Sequence, residues 1–413
     1  MTDETTDYGA RIQAWAQSSD RLEEEVGEYL YALTAELNSM GVELGLATVL
    51  IRTLHPQLDM LAIRWRPLGV DEVPTEGTES IIGQRTIKRP SGVQDIYPLS
   101  RGHADEETWL TSPFHKVLQD QESLRVPLER PPSPAPFPII EDLIERGMTD
   151  YIACPIPPPK QVKVVISLAT RRAGGFPEGF VEGLLDSIPA LSIGLAFNVQ
   201  RFLFEQVLSA YIGEEPASLV LQGQIHQGDL VSRRAALGFA DLRGFTAATE
   251  RLPREQLVEL INAFFERVHG AVHRAGGEIL KFMGDGVLFM VPDDGDAGDT
   301  CDRALGAVMT LKETIERRNQ AQPDRVIEFG CALHYGEVLY GNMGAASRLD
   351  FTVMGSDVNL ASRIESLTGD LGETLLLSEH FSGLLSSNTR LVGEFQFKGV
   401  SEAQPVYAPV AEP

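Results

Sequence analysis

The sequence is poor in cysteine, with three in 413 residues. Cys154, Cys301 and Cys331 lie far apart and form no CxxC pair. This spacing excludes the disulfide framework of a small secreted domain and a zinc site built from paired cysteines. We therefore expect a protein of the reducing cytoplasm.

Positive charge is also scarce. Lys and Arg number 35 against 59 Asp and Glu, which gives a formal net charge of −24. Such a chain offers no general basic field to a nucleic-acid backbone or to an anionic membrane surface, so neither is expected as a partner. A nucleotide site would need local cations or metal ions.

Long apolar runs are missing as well. The N-terminal segment, MTDETTDYGARIQ, is polar and acidic, unlike a signal peptide. The longest apolar stretch, 188–204, is interrupted by Ser192, Asn198, Gln200 and Arg201, whereas a membrane span needs about 20 mostly apolar residues. The sequence predicts a soluble protein.

The chain is long enough for two to three domains at about 150 residues each. In its first half, helical spacing, strand-like runs and proline-rich loops predict an α/β domain that closes with a helix over 177–211, broken or bent near Pro189. We expect an N-terminal helix at 1–40, a regulatory domain at 41–205, a linker at 206–234 and a second domain at 235–413.

The second half alternates strands and helices. An amphipathic helix is predicted over 253–275, and a hairpin over 278–290 turns at Met283-Gly284-Asp285-Gly286. Strands are also expected near 236–239, 326–334, 351–354, 375–377 and 393–397, and helices near 297–318 and 357–367. This alternation on one sheet predicts an α/β or α+β architecture.

Two carboxylates stand out in this half. Asp241 ends the first strand, and Asp285 lies at the tip of the hairpin. If the strands are neighbours, both carboxylates project at one edge of the sheet, where they are costly unless they are solvated or bind a cation. Hard oxygen ligands suit Mg²⁺ or Mn²⁺. Alternatively, each Asp is a turn or cap residue.

Asn359 and Arg363 are four residues apart, so on a helix they share one face. Together they could grip a phosphate and a ribose hydroxyl. Alternatively, Arg363 pairs with a nearby carboxylate such as Glu365. Lys281 and Lys398 each stand in or after an apolar strand, and each alone is also explained by a solvated face.

Four motifs of this half, in order, resemble those of the class III nucleotidyl cyclase catalytic domain. FADLRGFT is similar to the first metal motif, and GGEILKFMGDGVLF to the second. TVMGSDVNLASRIES resembles the transition-state motif, and EFQFKGVSEAQPVY the phosphate-contacting strand. The resemblance implies a ferredoxin-like, palm-type cyclase domain over 235–413.

The resemblance also implies roles. Asp241, Asp285 and the carbonyl of Leu242 would hold two Mg²⁺ or Mn²⁺ ions per active site, as in two-metal phosphoryl displacement. Arg363 would neutralise charge at the α-phosphate. Asn359 would orient the ribose, and Lys398 would contact the polyphosphate. The expected reaction is the conversion of ATP to 3′,5′-cyclic AMP and pyrophosphate.

Lys281 and Thr352 would read the base. A Lys ammonium only donates, which suits adenine N1 and opposes guanine N1. Thr352 resembles the subgroup that includes the bicarbonate-responsive cyclases, and its hydroxyl reads less strictly than a carboxylate. A guanylate or mixed-specificity cyclase, and a catalytically silent nucleotide-binding module, therefore remain as alternatives.

In this family the two halves of a site come from different protomers, so the resemblance implies a homodimer, in which the helices at 178–211 could pair. Residues 151–191 resemble the closing strands and last helix of a GAF-type sensory domain (GAF/PAS-like in fold class). An unknown small-molecule regulator could bind beneath the loops at 69–92 and 125–138. A purely dimerising domain is equally compatible with the pattern.

Overall fold

The computed structural model of the chain describes residues 7–22, 24–52, 58–69, 85–100, 102, 106–157, 163–345 and 347–410. The chain divides into two compact units, Met1–Ala210 and Tyr211–Pro413. Each unit is built on a mixed arrangement of helices and a β-sheet, which confirms the predicted α+β class.

The first unit is built on an antiparallel sheet with the strand order β3-β4-β2-β1-β7-β6-β5. Its strands are β1 Leu44–Arg52, β2 Leu58–Arg66, β3 Arg85–Arg89, β4 Gly92–Ser100, β5 Leu124–Pro127, β6 Asp150–Ile156 and β7 Lys163–Thr170. Its helices are α1 Tyr8–Ala16, α2 Val26–Ser39, α3 Glu107–Leu110, α4 Pro113–Asp120, α5 Pro138–Glu145 and α6 Phe180–Ile212, with a 3₁₀ turn at Ser19–Leu22.

Both faces of this sheet are buried, because its strands alternate between two apolar clusters. In β1, Ala47, Val49 and Ile51 join the cluster that contains residues of α1, α2 and α6. Leu46 and Leu50 join the cluster on the opposite face, which contains residues of α4 and α5. Of the loop predicted at 69–92, residues 70–84 lie outside the described part, and the remainder contributes β3 and the start of β4.

The helix predicted near 177–211 is one uninterrupted helix, α6, so the expected break at Pro189 is not present. Pro189 is exposed, and the carbonyl that its missing N–H leaves without a donor can therefore be hydrated. Of the described helices, α6 is long and apolar enough to cross a membrane by length and composition. Part of it nevertheless lies in the core of the first unit, through Phe180, Leu184, Ile188, Leu191, Leu195, Val199 and Leu203.

The second unit has the strand order β14-β15-β13-β11-β8-β10-β9, with β12 paired to β11. Its strands are β8 Leu230–Leu242, β9 Glu278–Met283, β10 Gly286–Pro292, β11 Phe329–Ala345, β12 Arg348–Met354, β13 Leu375–Ser378, β14 Thr389–Phe395 and β15 Gln404–Pro409. Its helices are α7 Glu214–Leu221, α8 Phe245–Arg251, α9 Arg254–Arg274, α10 Ala297–Ala321, α11 Ser356–Glu365, α12 Thr368–Leu371 and α13 Glu379–Leu384.

The central part of this unit is a β-α-β-β-α-β arrangement. In chain order it runs β8, α9, β9, β10, α10 and β11, and the spatial order β11-β8-β10-β9 is that of a ferredoxin-like sheet. On β8, Ala236, Ala240 and Leu242 pack with residues of α9 and α10. Ala235 and Leu237 face the opposite side, which carries α11. The C-terminal end of β8 is thereby held rigidly between two layers.

Candidate active site

Asp241 lies near the end of β8 between two glycines on the neighbouring strands. The register pairs it with Gly286 of β10 and with Gly330 of β11. A Cβ atom at Gly286 would lie 2.7 Å from Asp241 Oδ1, and one at Gly330 would lie 2.1 Å from Thr368 Oγ1. The two glycines therefore leave room for the carboxylate and for the helix that faces it.

Asp285 occupies the hairpin turn beside this carboxylate. Gly284, which precedes it, has a φ of 70°, a conformation that glycine adopts without a steric cost. Burial and, next, the negative charge of Asp285 raise the pKa of Asp241 to about 6, while a hydrogen bond from the backbone of Leu242 opposes the rise. The structure thus brings together the two carboxylates that the sequence singled out, and their repulsion would be relieved by a cation.

Glu365 is a third carboxylate of this region, and it was considered from the sequence only as a partner for Arg363. Among the described residues Arg363 forms no ion pair, and Glu365 instead accepts a hydrogen bond of 3.4 Å from Thr368 Oγ1. Burial, with the charges of Asp241 and Asp285, raises the pKa of Glu365 to about 7. Glu365 stands within the motif TVMGSDVNLASRIES, but the sequence analysis gave it no role beside Asp241 and Asp285, because these neighbours lie far away in the chain.

Asn359 and Arg363 lie on α11 as predicted, with Asn359 exposed and Arg363 partly buried. The Arg363 guanidinium reaches the loop after β14, where a Cβ at Gly399 would lie 3.8 Å from its Nη2. Lys398, the residue before that glycine, is exposed. Arg363 and the backbone next to Lys398 are therefore close, as a shared phosphate site requires.

The N-terminal turn of α11 is fixed to β11 through Asp357. Its Oδ2 accepts a hydrogen bond of 2.8 Å from the backbone N–H of Glu337, and a Cβ at Gly336 would lie 2.1 Å from the same oxygen. His334 Nε2 lies 3.7 Å from Asp357 Oδ1, and His334 Nδ1 is 2.8 Å from Ser378 Oγ. His334 and the backbone of Glu337 hold the pKa of Asp357 below its usual range. The orientation of α11 thus depends on residues that the motifs did not indicate.

Lys281 and Thr352 belong to a second group, on β9 and β12. Lys281 forms an ion pair and a hydrogen bond with Asp350. Thr352 stands two residues after Asp350 on the same strand and therefore on the same face. The two predicted base-reading residues thus lie on β9 and β12, which pair with β10 and β11 respectively and are linked to each other through Lys281 and Asp350. The sequence analysis did not single out Asp350.

Asp241 and Thr352 belong to different ends of β11. Asp241 is paired with Gly330 near the start of this strand, and Thr352 with Gly341 near its end. Among the described residues, no three His, Cys, Asp or Glu side chains are grouped closely enough to hold a metal ion by themselves. A cation at the Asp241–Asp285 pair would need further ligands from the backbone or from a phosphate, which is the usual situation for Mg²⁺.

Comparison with known proteins shows what the second unit is similar to. Residues 232–407 match the family model described as the adenylate and guanylate cyclase catalytic domain. The adenylate cyclase of Anabaena cylindrica is 31% identical over 195 residues, which are 44% of this chain and 38% of that protein. Adenylate cyclase 1 of Rhizobium meliloti is 31% identical over 208 residues, which are 46% of this chain and 30% of that protein.

Among solved structures, the adenylyl cyclase CyaB from P. aeruginosa is 28% identical in sequence to this chain. The match covers 45% of this chain and 97% of the CyaB chain in the crystal structure, with a TM-score of 0.41. The chain spans less than two fifths of the length of either curated relative described above. The second unit contains a class III adenylate and guanylate cyclase catalytic domain with adenylate cyclases among its relatives, which confirms that part of the motif resemblance.

Proposed function

We propose that this protein is an adenylate cyclase, on the premise that its residues 232–407 are a cyclase catalytic domain. The reaction would convert ATP to 3′,5′-cyclic AMP and pyrophosphate. The observation that carries the proposal is the pairing of Asp241 with Gly286, which sets its carboxylate beside that of Asp285. Without a cation, two partly buried carboxylates in this arrangement would repel each other.

The residues at this edge fit a divalent cation. Both side chains offer hard oxygen ligands, and the carbonyl of Leu242 follows directly in the chain. Two Mg²⁺ or Mn²⁺ ions, when bound, would lower the pKa of the ribose 3′-hydroxyl and neutralise charge on the triphosphate. Asp241 and Asp285 would hold the cations in place and would thereby fix where the triphosphate can lie.

The remaining groups act on the substrate directly. Arg363 presents a permanently charged fork that would stabilise negative charge developing at the α-phosphate. Asn359, one turn earlier on the same face of α11, would hydrogen-bond the ribose. Lys398, beside the Arg363 guanidinium, would contact the terminal phosphates.

Selection of the base would depend on Lys281 and Thr352. Because the ammonium only donates hydrogen bonds, it matches the acceptor at adenine N1 and leaves guanine N1–H unpaired, at a cost of about 1–3 kcal/mol. The Thr352 hydroxyl would accept a hydrogen bond from the adenine amino group. Because a hydroxyl discriminates between bases less strictly than a carboxylate, some turnover of GTP is compatible with this site.

The proposed assembly is a homodimer with two composite sites. Within one chain Asp241 and Thr352 belong to different ends of β11, and the motif resemblance implies that the two halves of a site come from different protomers, so each catalytic site would combine the metal carboxylates of one chain with the base-reading residues of its partner. The first unit would be a GAF-like regulatory domain, and the substrate would be the ATP of the cytoplasm.

The test is a product assay on the purified protein. It would be incubated with ATP or GTP and with Mg²⁺ or Mn²⁺, and cyclic nucleotide and pyrophosphate would be quantified. We expect cyclic AMP from ATP to exceed cyclic GMP from GTP. Asp241→Ala should abolish the activity and leave dimerisation intact, whereas the matched change Asp324→Ala, at an exposed loop position, should have no effect.

Two outcomes would contradict the proposal. Activity of Asp241→Ala within about tenfold of wild type, or about 1.4 kcal/mol of barrier, would refute the metal assignment. Tight ATP binding with no pyrophosphate released under any condition would identify a nucleotide-binding module without catalysis.

A further inference from the structure

A row of polar side chains crosses one buried face of the sheet in the first unit. The register places Arg64 of β2 between Thr48 of β1 and Asp95 of β4, and Thr48 next to Ser167 of β7. We call these four residues the polar row. Arg64 is 8% exposed, and each of the other three is at most 3% exposed. The face that they share also carries the buried Arg66, is apolar in most of its other residues, and is covered by α4 and α5.

Arg64 is the member of the row in which two buried nitrogen atoms have no hydrogen-bond partner. Its Nε and Nη1 atoms are buried and have no hydrogen-bond partner, and among the described residues it forms no ion pair. Both carboxylate oxygens of Asp95, the neighbour of Arg64 on the next strand, already accept hydrogen bonds from other residues. Asp95 Oδ2 accepts from Arg66 Nε at 2.9 Å, and Asp95 Oδ1 accepts from Thr86 Oγ1 at 2.8 Å.

The charges around Arg64 leave one positive charge uncompensated among the described residues. Arg66 and Asp95 neutralise each other, and Arg146 and Asp142 of the covering segment form a second ion pair at 2.9 Å. The Arg64 guanidinium itself lies over the Tyr97 ring, 5.1 Å from its centroid. A ring face attracts a cation but accepts none of its N–H bonds.

Burial of such a group is expensive. Burial lowers the pKa of Arg64 and is the largest influence on it; Tyr97, Asp95 and Asp142 oppose the shift, and the charge of Arg146 adds to it. Buried charges in proteins are normally paired or bound to a ligand, and an unpaired one is strongly destabilising. An edge of the planar guanidinium, which pairs Nη2 with either Nε or Nη1, matches the two oxygens of a carboxylate or a phosphate.

We propose that Arg64 is the anchor of a binding site for a small oxyanion, a carboxylate or phosphate group, in the first unit. The anion would be held by one edge of the Arg64 guanidinium, Nη2 with Nε or with Nη1, on the face covered by α4 and α5. The hydroxyl of Thr48 stands next along the polar row, and Ser167 beyond it interacts with the side chain of Tyr151. The site belongs to the first unit alone and does not depend on the catalytic proposal.

The test measures thermal unfolding of the full-length protein in inorganic phosphate, in acetate and in chloride at matched ionic strength. An anion held at about a hundred times its Kd should raise the Tm of the first unit by about 5–10 °C. Tryptophan fluorescence would report this unit selectively, because all three tryptophans, Trp15, Trp65 and Trp109, lie in it.

Arg64→Met is the decisive variant, because it keeps the length of the side chain and removes the charge. It should show no anion-dependent shift, and without added anion its Tm should equal or exceed that of wild type. Arg11→Met, at an exposed ion pair with Glu36, is the matched control and should keep the full shift. If Arg64→Met does not fold, Arg64→Lys decides, since it keeps the charge without the fork and should bind the anion at least about tenfold more weakly.

A shift in phosphate alone or in acetate alone would identify which oxyanion the site takes, and both results support the proposal. The proposal is overturned if wild type responds to phosphate and acetate no more than to chloride. It is also overturned if Arg64→Met, or in its place Arg64→Lys, retains the wild-type shift.

Discussion

Gly286→Ala perturbs the proposed metal site without removing any of its ligands. The added Cβ would lie 2.7 Å from Asp241 Oδ1, while its other neighbours, the carbonyl oxygens of Met283 and Ala240, would be at 3.5 and 3.6 Å. Since non-bonded contacts are favourable only near 3.5–4.0 Å, the carboxylate has to move by about 1 Å. Displacement of this size at a reacting centre costs about 100-fold in rate.

The stability cost of the same change is modest. Gly286 has no left-handed backbone conformation, so the penalty arises from the contact alone and is about 1–3 kcal/mol. We therefore expect a folded variant whose kcat for cyclic AMP formation falls about 100-fold and whose apparent affinity for Mn²⁺ is weaker. Gly306→Ala is the matched control, because a Cβ there meets nothing within 4 Å.

The assay is cyclic AMP formation by both variants over a range of Mn²⁺ concentrations, with the Tm measured in parallel. If Gly286→Ala is folded and retains activity within about threefold of wild type, the position of the Asp241 carboxylate does not control the reaction. The reasoning that places a cation between Asp241 and Asp285 would then be wrong.

Two further predictions follow from contacts in the second unit. Asp350→Asn removes the ion pair of Lys281 and should raise the KM for ATP about 2–5-fold with little change in kcat; steady-state kinetics with ATP and GTP would show this, and an unchanged KM would contradict it. Burial raises the pKa of Glu278 from 4.5 to about 7, so its contribution to stability is lost as the pH rises through about 7. Glu278→Gln should therefore stabilise the unit by about 1–2 kcal/mol above pH 7 and not below pH 4.5, as measured by hydrogen exchange of β9; equal protection of both proteins at high pH would refute it.

Elements with strong local signals could be predicted from the sequence. The hairpin turn at Met283-Gly284-Asp285-Gly286 is present, with Gly284 in the left-handed conformation that the turn needs. The helix predicted over 253–275 runs from Arg254 to Arg274, after Pro253 and before a left-handed Gly276. In both cases glycine or proline fixes the boundary through its own backbone preferences.

Other features depend on contacts that no local pattern reports. The segment predicted as a linker without periodicity contains the helix α7, whose Leu219 packs against a core cluster of the second unit. β11 extends to Ala345, well beyond the predicted end at His334, because its later residues pair with β8 and β12. A strand held by two partners does not need a continuous apolar run of its own.

The same distinction applies to the candidate site. Asp241, Asp285, Asn359 and Arg363 stand in motifs and could be singled out from the sequence. Asp350 and His334 could not, and Glu365, although it stands in a motif, received no role at this site, because each acquires its role from a residue far away in the chain. Residues proposed to contact the substrate are thus easier to predict from a sequence than the residues that orient them.

The charge of the chain bears on how the proposed reaction would be assembled. With a net charge of −24, the protein repels a triphosphate at long range, and the partly buried Asp241–Asp285 pair repels it locally. Lys281 does not offset this, because Asp350 already neutralises it. Arg363 and Lys398 then supply the positive side chains nearest the proposed phosphate position. Productive binding of ATP would therefore require the carboxylate pair to be neutralised first or together with it, so that dependence on a divalent cation follows from the charge balance of the site as well as from the chemistry of the reaction.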